Sequence, residues 1–320
     1  MDFPTSYAAQ CKLQLTTPIE PMPLRERASI TTELTPPFTV YEPVEQTAPF
    51  VFCSPHSGNL YPSVFLERSR LDAHTLRKSE DCFVDELFAD VAKLGAPLIA
   101  ARFPRAYLDV NREPYELDPE LFAEPLPDFA NTQTMRVAGG LGTVARIVAD
   151  GEEIYGQPLP LAAAIERIER LYKPFHASIA RVLERTRRRF GAAILVDCHS
   201  MPSASMNQPT GSRPDFVIGD RFGASCDAKV TRLFREVIAQ RGYQVQLNRP
   251  YAGGFITEHY GQPFKGVHAL QIEINRGLYL NEEKLTRTAN FNRLRRDLTQ
   301  MMARIFAELP PIIAPRAAAE

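Results

Sequence analysis

The chain has 320 residues, 44% of them hydrophobic, which is enough to bury a sizeable core in one large α/β domain or two smaller ones. Its 37 basic residues are balanced by 38 acidic ones, so the charge gives no preference for nucleic acid or an anionic membrane surface. The sequence has no apolar run near the roughly 18 residues of a membrane span and no signal-peptide pattern at its start, so we expect a cytoplasmic protein that acts on a small molecule.

The first 45 residues have the least regular pattern in the chain. They are rich in Pro, Thr and Glu and show no sustained periodicity. This composition predicts an extended arm that lies on the domain or is partly disordered. We expect residues 46–320 to form a single domain.

Strand and helix patterns alternate along this domain. Short apolar runs predict strands at residues 49–53, 97–103, 107–111, 192–196, 215–219, 243–247 and 267–274. Apolar residues at helical spacing predict helices at residues 79–94, 165–190, 227–241 and 282–309. Ser79 would cap the first helix, and Pro174 would break the second. The alternation predicts an α/β sandwich, in which sites form outside the carboxyl ends of the strands.

Two histidines fall at such strand ends. His56 follows the predicted strand at residues 49–53, and His199 follows the one at residues 192–196. A catalytic zinc takes three nitrogen or oxygen ligands and leaves one position for water. His56, His199 and a carboxylate would form this set, although a single His beside a strand is more often a packed core residue.

The third ligand would be Glu80 or Asp81. The alternative is that both are carboxylates in the first turn of a helix, where the dipole stabilises each by about 0.3–1 kcal/mol. Asp197 lies two positions before His199 and would share its strand face, so it would orient the imidazole or else form a local turn.

Glu273 is the most unusual carboxylate in the sequence. Strand alternation places it with Gln271 on the face opposite the apolar residues of the same run. A buried carboxylate needs a charged partner or a chemical task. Glu273 would therefore act as a general base for a metal-activated water, or else form an ion pair with Arg276.

Three arginines are candidates for binding a substrate carboxylate, because a guanidinium pairs with it through two hydrogen bonds. Arg105 and Arg112 flank the predicted strand at residues 107–111, and Arg276 follows Glu273. The alternative is that these arginines only solubilise the surface, as most arginines do.

The five cysteines are Cys11, Cys53, Cys82, Cys198 and Cys226. Their odd number and the lack of a C-x-x-C pair argue against a disulfide framework and a thiolate zinc site. Cys198 next to His199 would suggest a thiol nucleophile, but adjacent strand residues point to opposite faces. A cysteine hydrolase is therefore a distant alternative.

Taken together, several segments resemble the N-formylglutamate amidohydrolase family. The similar stretches are residues 54–58, 79–81, 83–88, 104–105, 109–112, 197–200, 215–220, 253–257 and 271–276. The resemblance covers roughly residues 49–309, and the ordered set is far more specific than any single stretch.

The resemblance implies a distant relation to zinc carboxypeptidases. The expected fold is a single three-layer α/β/α sandwich around a mixed β-sheet, of the zinc-exopeptidase (phosphorylase/hydrolase-like) type. The implied metal ligands are His56, Asp81 (with Glu80 the alternative) and His199. The resemblance further implies that Asn111 and Arg112 bind the α-carboxylate of the substrate and that Glu273 is the general base. Arg105 would polarise the scissile carbonyl or bind a carboxylate, and Arg276 would assist in binding the substrate.

One position departs from the carboxypeptidase pattern. Those enzymes place the acidic ligand three residues after the first His, whereas this chain has Asn59 there. The carboxylate ligand would therefore come from elsewhere in the chain, and the resemblance favours Asp81 over Glu80 because the second acidic position better matches the family pattern.

The reaction implied by the resemblance is hydrolysis of N-formyl-L-glutamate to formate and L-glutamate, with zinc or another divalent metal, in histidine breakdown. Two alternatives stay open. One is a deacylase or peptidase for another N-acyl amino acid, and the other is a non-catalytic relative that binds a small acid.

Overall fold

A mixed β-sheet forms the centre of the computed structural model, which describes residues 24–148, 151–206 and 214–309. Its strands are β1 Phe38–Tyr41, β2 Phe50–Ser54, β3 Leu98–Ala101, β4 Ala193–Met201, β5 Phe216–Gly219, β6 Val245–Leu247 and β7 Val267–Asn275. They lie in the order β1-β3-β2-β4-β7-β5-β6. The strands β3, β2, β4 and β7 are parallel to one another, whereas β1 runs antiparallel to β3 and β5 antiparallel to β7.

Helices cover both faces of this sheet. They are α1 Leu24–Glu33, α2 Ser63–Arg68, α3 Ala73–Arg77, α4 Val84–Phe88, α5 Met135–Ala138, α6 Leu161–Arg167, α7 Lys173–Phe190, α8 Ala228–Gln240, α9 Phe255–Tyr260 and α10 Phe291–Glu308. Phe175 of α7 packs in the core on one face, and Phe234 of α8 and Met302 of α10 pack in the core on the other. The predicted α/β class with a mixed sheet is therefore confirmed.

The two central strands have apolar residues on both faces only over their first halves. On the α7 face, Leu195 of β4 and Ala269 of β7 are core residues, and the next residues on that face are polar. On the α8 and α10 face, both strands stay apolar further along, because Cys198 and Ile274 still belong to the core, and β4 then ends with the buried polar Ser200 on this face. The period of two along a strand thus places most of the polar side chains at the carboxyl ends on the α7 face.

The predicted helix at residues 79–94 is shorter than expected. It begins at Val84, because Phe83 has a φ of 63°, and a 3₁₀ turn, Ala89–Ala92, follows it. Glu80 and Asp81 thus lie in a loop before the helix, and the Asp81 amide donates to the carbonyl of His56 at 3.0 Å. The expectation that both carboxylates occupy the first helical turn is wrong.

The predicted strand at residues 107–111 is also wrong. This segment is a series of turns, although Tyr107, Leu108 and Val110 are buried in the core as they would be in a strand. The edge of β3 that a further strand would need is occupied by β1. The Asp109 amide instead donates to the carbonyl of Thr143 at 2.8 Å.

Two helix boundaries also differ from the prediction. Residues 280–287 contain a short hairpin, β8 Leu280–Asn281 with β9 Thr286–Arg287, before α10 begins at Phe291. The irregularity expected at Pro174 lies earlier, in a π-helical turn at Ile168–Tyr172 between α6 and α7. Pro174 lies in the first turn of α7, directly after this π-helical turn, and its missing N–H group removes one hydrogen bond of the continuous helical stretch.

The arm predicted at residues 1–45 is only partly described, since residues 1–23 lie outside the described residues. Its described part contains α1 and the edge strand β1. The boundary between an arm and a domain at residue 45 stays a prediction.

Candidate metal centre

The two predicted histidine ligands lie at the carboxyl ends of adjacent parallel strands, and a predicted carboxylate ligand faces them from a loop. His56 follows β2, His199 is within β4, and Asp81 is in the loop before α4. Their ligand atoms all lie within 4.8 Å of one another, and all three residues are buried. A divalent cation between them would have two nitrogen ligands and one oxygen ligand.

Both imidazoles present the same nitrogen to Asp81. The distance from Asp81 Oδ2 is 2.9 Å to His199 Nδ1 and 3.4 Å to His56 Nδ1. His56 Nδ1 is buried and has no hydrogen-bond partner among the described residues. A buried polar atom without a partner costs free energy, so its presence here fits a site that takes a ligand.

The opposite nitrogen of each imidazole is held by a further carboxylate. His56 Nε2 lies 2.7 Å from Asp109 Oδ1, and His199 Nε2 lies 2.9 Å from Asp197 Oδ2. Such carboxylates keep the proton on Nε2, which leaves Nδ1 as the atom that binds a metal. The residues therefore fit zinc or a similar divalent ion, and Asp197 is placed as the strand pattern predicted.

The electrostatics of the cluster favour positive charge between the imidazoles. Burial alone would lower the pKa of His199, but the Asp197 carboxylate and the hydrogen bonds hold that pKa well above its ordinary value. Burial alone would raise the pKa of Asp81, but the hydrogen bond with His199 and the nearby imidazole of His56 hold that pKa well below its ordinary value. A cation, either a proton or a metal ion, is therefore stabilised at this point.

The second oxygen of Asp81 is fixed by protein groups. Asp81 Oδ1 accepts hydrogen bonds from Ser200 Oγ at 3.0 Å and from Arg276 Nη2 at 3.2 Å. Arg276 also donates to Ser200 Oγ at 3.0 Å. These contacts leave Oδ2 directed at the two imidazoles.

Glu80 belongs to a different network. Its carboxylate accepts from the Tyr61 hydroxyl at 2.8 Å and pairs with Arg77, while Cys82 Sγ lies 3.3 Å from it. Glu80 is therefore not among the residues that converge on the metal centre.

Glu273 lies beside His199 because the two residues are register partners in β7 and β4. Its carboxylate is buried and accepts a hydrogen bond from Gln271 Nε2 at 2.7 Å. Burial raises the pKa of Glu273 to about 8, and the charge of Asp81 contributes to the rise while that of His199 opposes it. The group is thus a base of nearly neutral strength next to the cluster.

A cavity of about 400 Å³ opens over these residues, and its wall includes Asp81, His199 and Glu273. Two of the predicted arginines, Arg105 and Arg276, also line it. Arg105 donates to Asp109 Oδ2 at 2.7 Å. The cavity therefore combines the metal centre with cationic side chains suited to an anionic ligand.

Asn111 and Arg112 make contacts within the protein. Asn111 Nδ2 lies 3.1 Å from His199 Nε2 and 3.3 Å from Asp197 Oδ2, while its Oδ1 accepts from the Ile256 amide at 2.8 Å. Gly254 permits this approach, because a Cβ there would lie 2.5 Å from the Asn111 side chain.

Arg112 donates to the carbonyls of Leu141 and Asn111 and lies 3.6 Å from Asp109. The substrate-binding roles predicted for Asn111, Arg112 and Arg276, and the catalytic role predicted for Arg105, stay predictions.

Three site residues were given no role from the sequence: Asp109, Ser200 and Gln271. Asp109 stood in a segment assigned to a strand, and no spacing links it to His56, 53 positions earlier. Ser200 follows His199 directly, so strand alternation pointed it away from the site. Strand alternation places Gln271 on the same face as Glu273, and for these three residues this is the one sequence signal that indicates a position in the site.

Cys198 does not belong to the site. It is buried in the apolar core on the α8 and α10 face, and burial raises the pKa of its thiol well above the ordinary value. The described cysteines, Cys53, Cys82, Cys198 and Cys226, are all free thiols. In the described part of the chain, no helix has the length and hydropathy needed to cross a bilayer.

Comparison with known sequences gives a consistent result. Residues 48–280 match the family described as N-formylglutamate amidohydrolase. The chain is 31% identical over 237 residues to an N-formylglutamate deformylase of Pseudomonas putida, covering 73% of this chain and 82% of that protein. A protein of the same name from Pseudomonas aeruginosa is 32% identical over 242 residues, covering 73% of this chain and 83% of that protein.

Comparison with solved structures agrees. The chain is similar to the crystal structure of an N-formylglutamate amidohydrolase from Ralstonia eutropha JMP134, with a TM-score of 0.81 and 35% identity. That match covers 85% of this chain and 97% of the other. A gene product of Agrobacterium tumefaciens shares the fold, with a TM-score of 0.55 and 17% identity over 85% of this chain and 95% of the other.

Proposed function

Because this chain belongs to the N-formylglutamate amidohydrolase family, we propose that it hydrolyses N-formyl-L-glutamate to formate and L-glutamate with a metal-activated water. It is a hydrolase that acts on an amide bond. One observation carries the proposal: the imidazoles of His56 and His199 converge with Asp81, and a cavity lined by Asp81, His199 and Glu273 opens beside them.

We assign the metal as zinc, held by His56, Asp81 and His199. Two imidazole nitrogens and one carboxylate oxygen are a donor set that zinc takes in catalytic sites. When bound, a divalent metal supplies a Lewis acid that acidifies water and polarises a carbonyl oxygen. The buried Nδ1 atom of His56, which has no hydrogen-bond partner among the described residues, supports the assignment. The carboxylates of Asp109 and Asp197, which contact Nε2 of His56 and of His199, support it as well.

Glu273 is proposed to move the protons of the reaction. It takes a proton from the attacking water as the new carbon–oxygen bond forms and gives it to the amine nitrogen as the carbon–nitrogen bond breaks. A general base works best when its pKa is near the working pH, and the raised pKa of Glu273 meets that condition.

The cationic residues are proposed to hold the anionic substrate. Arg105 at the cavity wall would polarise the formyl carbonyl or clamp a carboxylate, and Asn111 and Arg112 would anchor the α-carboxylate. Arg276 would assist by keeping Asp81 in place. The Asn111 amide already contacts His199, so an anchoring role requires that amide to change partners when substrate binds.

A cytoplasmic location and a place in histidine breakdown complete the proposal. The described cysteines are free thiols, as is usual in a reducing compartment, which supports the location, and the family resemblance supports the pathway.

The direct test is formate release from N-formyl-L-glutamate by the purified protein, measured as isolated, after chelation, and after zinc is restored. We expect release that is lost on chelation and recovered with zinc. N-acetyl-L-glutamate and N-formyl-L-leucine serve as matched substrates, because each changes either the acyl group or the side chain.

The alternatives predict different results. If the protein binds metal but releases formate from neither formyl substrate, the reaction belongs to another acyl amino acid. If it binds no metal at His56 and His199, the mechanism is wrong.

A further inference from the structure

Residues 107–112 carry side chains of the site on a backbone that belongs to no strand or helix. Asp109 holds His56, and Asn111 contacts both His199 and Asp197. Backbone carbonyls in a buried, irregular segment need hydrogen-bond donors from elsewhere in the fold. The residues that donate these hydrogen bonds therefore help to fix the positions of Asp109 and Asn111.

Three side chains from one helical stretch supply them. The hydrogen bonds run from Arg167 Nη1 to Tyr107 O (3.1 Å), from His176 Nε2 to Val110 O (2.8 Å) and from the Tyr172 hydroxyl to Arg112 O (2.7 Å). A carbonyl can only accept, so His176 carries its proton on Nε2. Burial lowers the pKa of His176 to about 3, which keeps the ring neutral with this one proton.

The π-helical turn at Ile168–Tyr172 accounts for this arrangement. In a regular α-helix, residues 167 and 172 would point about 140° apart, because each residue turns the helix by about 100°. In a π turn each residue bonds to the fifth residue along the chain, so the side chain of Tyr172 lies on the same side of the helix as that of Arg167. His176 follows Tyr172 at ordinary α spacing, and their rings stack with centroids 4.3 Å apart.

We propose that Tyr172 and His176 are positioning residues that hold residues 107–112, and with them Asp109 and Asn111, against His56 and His199. They act through the backbone of that segment. The inference rests on the proposed metal centre for its effect on catalysis, but the positioning itself can be measured without metal or substrate.

The main test compares Tyr172→Phe with Tyr243→Phe. Each change removes one hydroxyl, and the Tyr243 hydroxyl bonds Asp297 of α10 at 2.8 Å, away from the site. The measurements are amide hydrogen exchange across residues 105–112, zinc affinity by chelator competition, and kcat and KM for N-formyl-L-glutamate.

We expect faster exchange at residues 105–112 in Tyr172→Phe only. Zinc affinity and kcat should each fall by about 3- to 10-fold, the scale of one hydrogen bond, with a smaller change in KM. Tyr243→Phe should change none of these values by more than about twofold, because its hydroxyl bonds outside the segment.

A pair of substitutions at His176 gives an independent check. His176→Gln keeps a side-chain N–H donor and should retain most of the zinc affinity. His176→Leu removes the donor and should lower the zinc affinity. Loss of affinity in both variants to the same degree would contradict a role for the hydrogen bond to Val110.

The results separate this inference from the proposed function. Equal exchange at residues 105–112 in the two tyrosine variants overturns the positioning role, whatever the enzyme's substrate. If the protein binds no zinc or releases no formate, the proposed function fails, and faster exchange in Tyr172→Phe alone still supports the positioning role.

Discussion

The two faces of the central strands β4 and β7 are equally buried but differ in chemistry. On the α8 and α10 face most residues of the two strands belong to the apolar core, namely Ile194, Val196, Cys198, Leu270, Ile272 and Ile274, and the polar exceptions are His268 and Ser200. On the α7 face their later residues are polar, namely Asp197, His199, Gln271 and Glu273. Neighbours in the sequence, such as Cys198 and His199, thus lie in opposite environments.

This difference shows that burial alone does not distinguish residues that stabilise the fold from residues that form the site. An apolar side chain gains free energy from burial, whereas a buried charge costs free energy unless it is paired. The polar face is built from paired groups, yet it leaves His56 Nδ1 without a protein partner among the described residues. Substitutions of adjacent residues should therefore separate loss of catalysis from loss of stability.

The largest effect on catalysis is expected from His199→Ala. Loss of this proposed metal ligand should lower kcat/KM by on the order of 10³-fold or more, because Lewis-acid stabilisation contributes several kcal/mol. The matched control is Cys198→Ala, which should keep kcat/KM within about twofold because the thiol lies on the other face. Formate release by both variants measures this. Equal losses of kcat/KM in the two variants would show that the two faces do not differ in their contribution to catalysis.

A somewhat smaller effect is expected from Glu273→Gln. If Glu273 is the general base as proposed, its loss should lower kcat by about 10²- to 10⁴-fold, while metal binding should stay at one ion per chain. Ile272→Val, one residue earlier, should leave kcat unchanged and lower the free energy of unfolding by about 0.5–1.5 kcal/mol. Near-normal turnover by Glu273→Gln with metal bound would show that another group is the base.

Asp197→Asn should have an intermediate effect. The amide still contacts His199 but no longer offers a charged acceptor, so metal affinity should fall by about 10- to 100-fold. Asp297→Asn is the control, because that carboxylate, on α10, pairs with Arg241 at the end of α8. Chelator competition measures both, and unchanged affinity in Asp197→Asn would remove this carboxylate from the metal centre.

The smallest effect on catalysis is expected from Ile272→Ala. This change should lower the free energy of unfolding by about 2–5 kcal/mol, because it opens a cavity in the apolar core. Turnover per folded molecule should stay within about twofold at a temperature where the variant is folded. Chemical denaturation and formate release check the two parts, and a large loss of turnover would show that the faces are coupled.

Part of the site could be predicted because strand alternation is a local property. The pattern of residues 267–274 alone placed Glu273 on the face opposite the apolar residues, and the structure has it there. The same reasoning placed Asp197 on the face of His199 and Cys198 on the other. These predictions needed only the period of two along a strand.

The choice between Glu80 and Asp81 could not be made in this way. Both residues lie in a loop without a repeating pattern, before Phe83 with its positive φ. Asp81 faces the imidazoles because its amide bonds to the carbonyl of His56, whereas Glu80 is held by Tyr61 and Arg77. No sequence period specifies such contacts.

By itself the sequence determined the α/β class, the central strands, and the face on which His199 and Glu273 lie, since hydrophobic periodicity follows from the geometry of each element. Only the tertiary structure decided that residues 107–112 form turns and that Asp109 holds His56. It did so because β1 occupies the edge of β3, and because strand order brings together loops that are distant in the sequence. Contacts between distant loops depend on how the elements pack, and local patterns do not encode that packing.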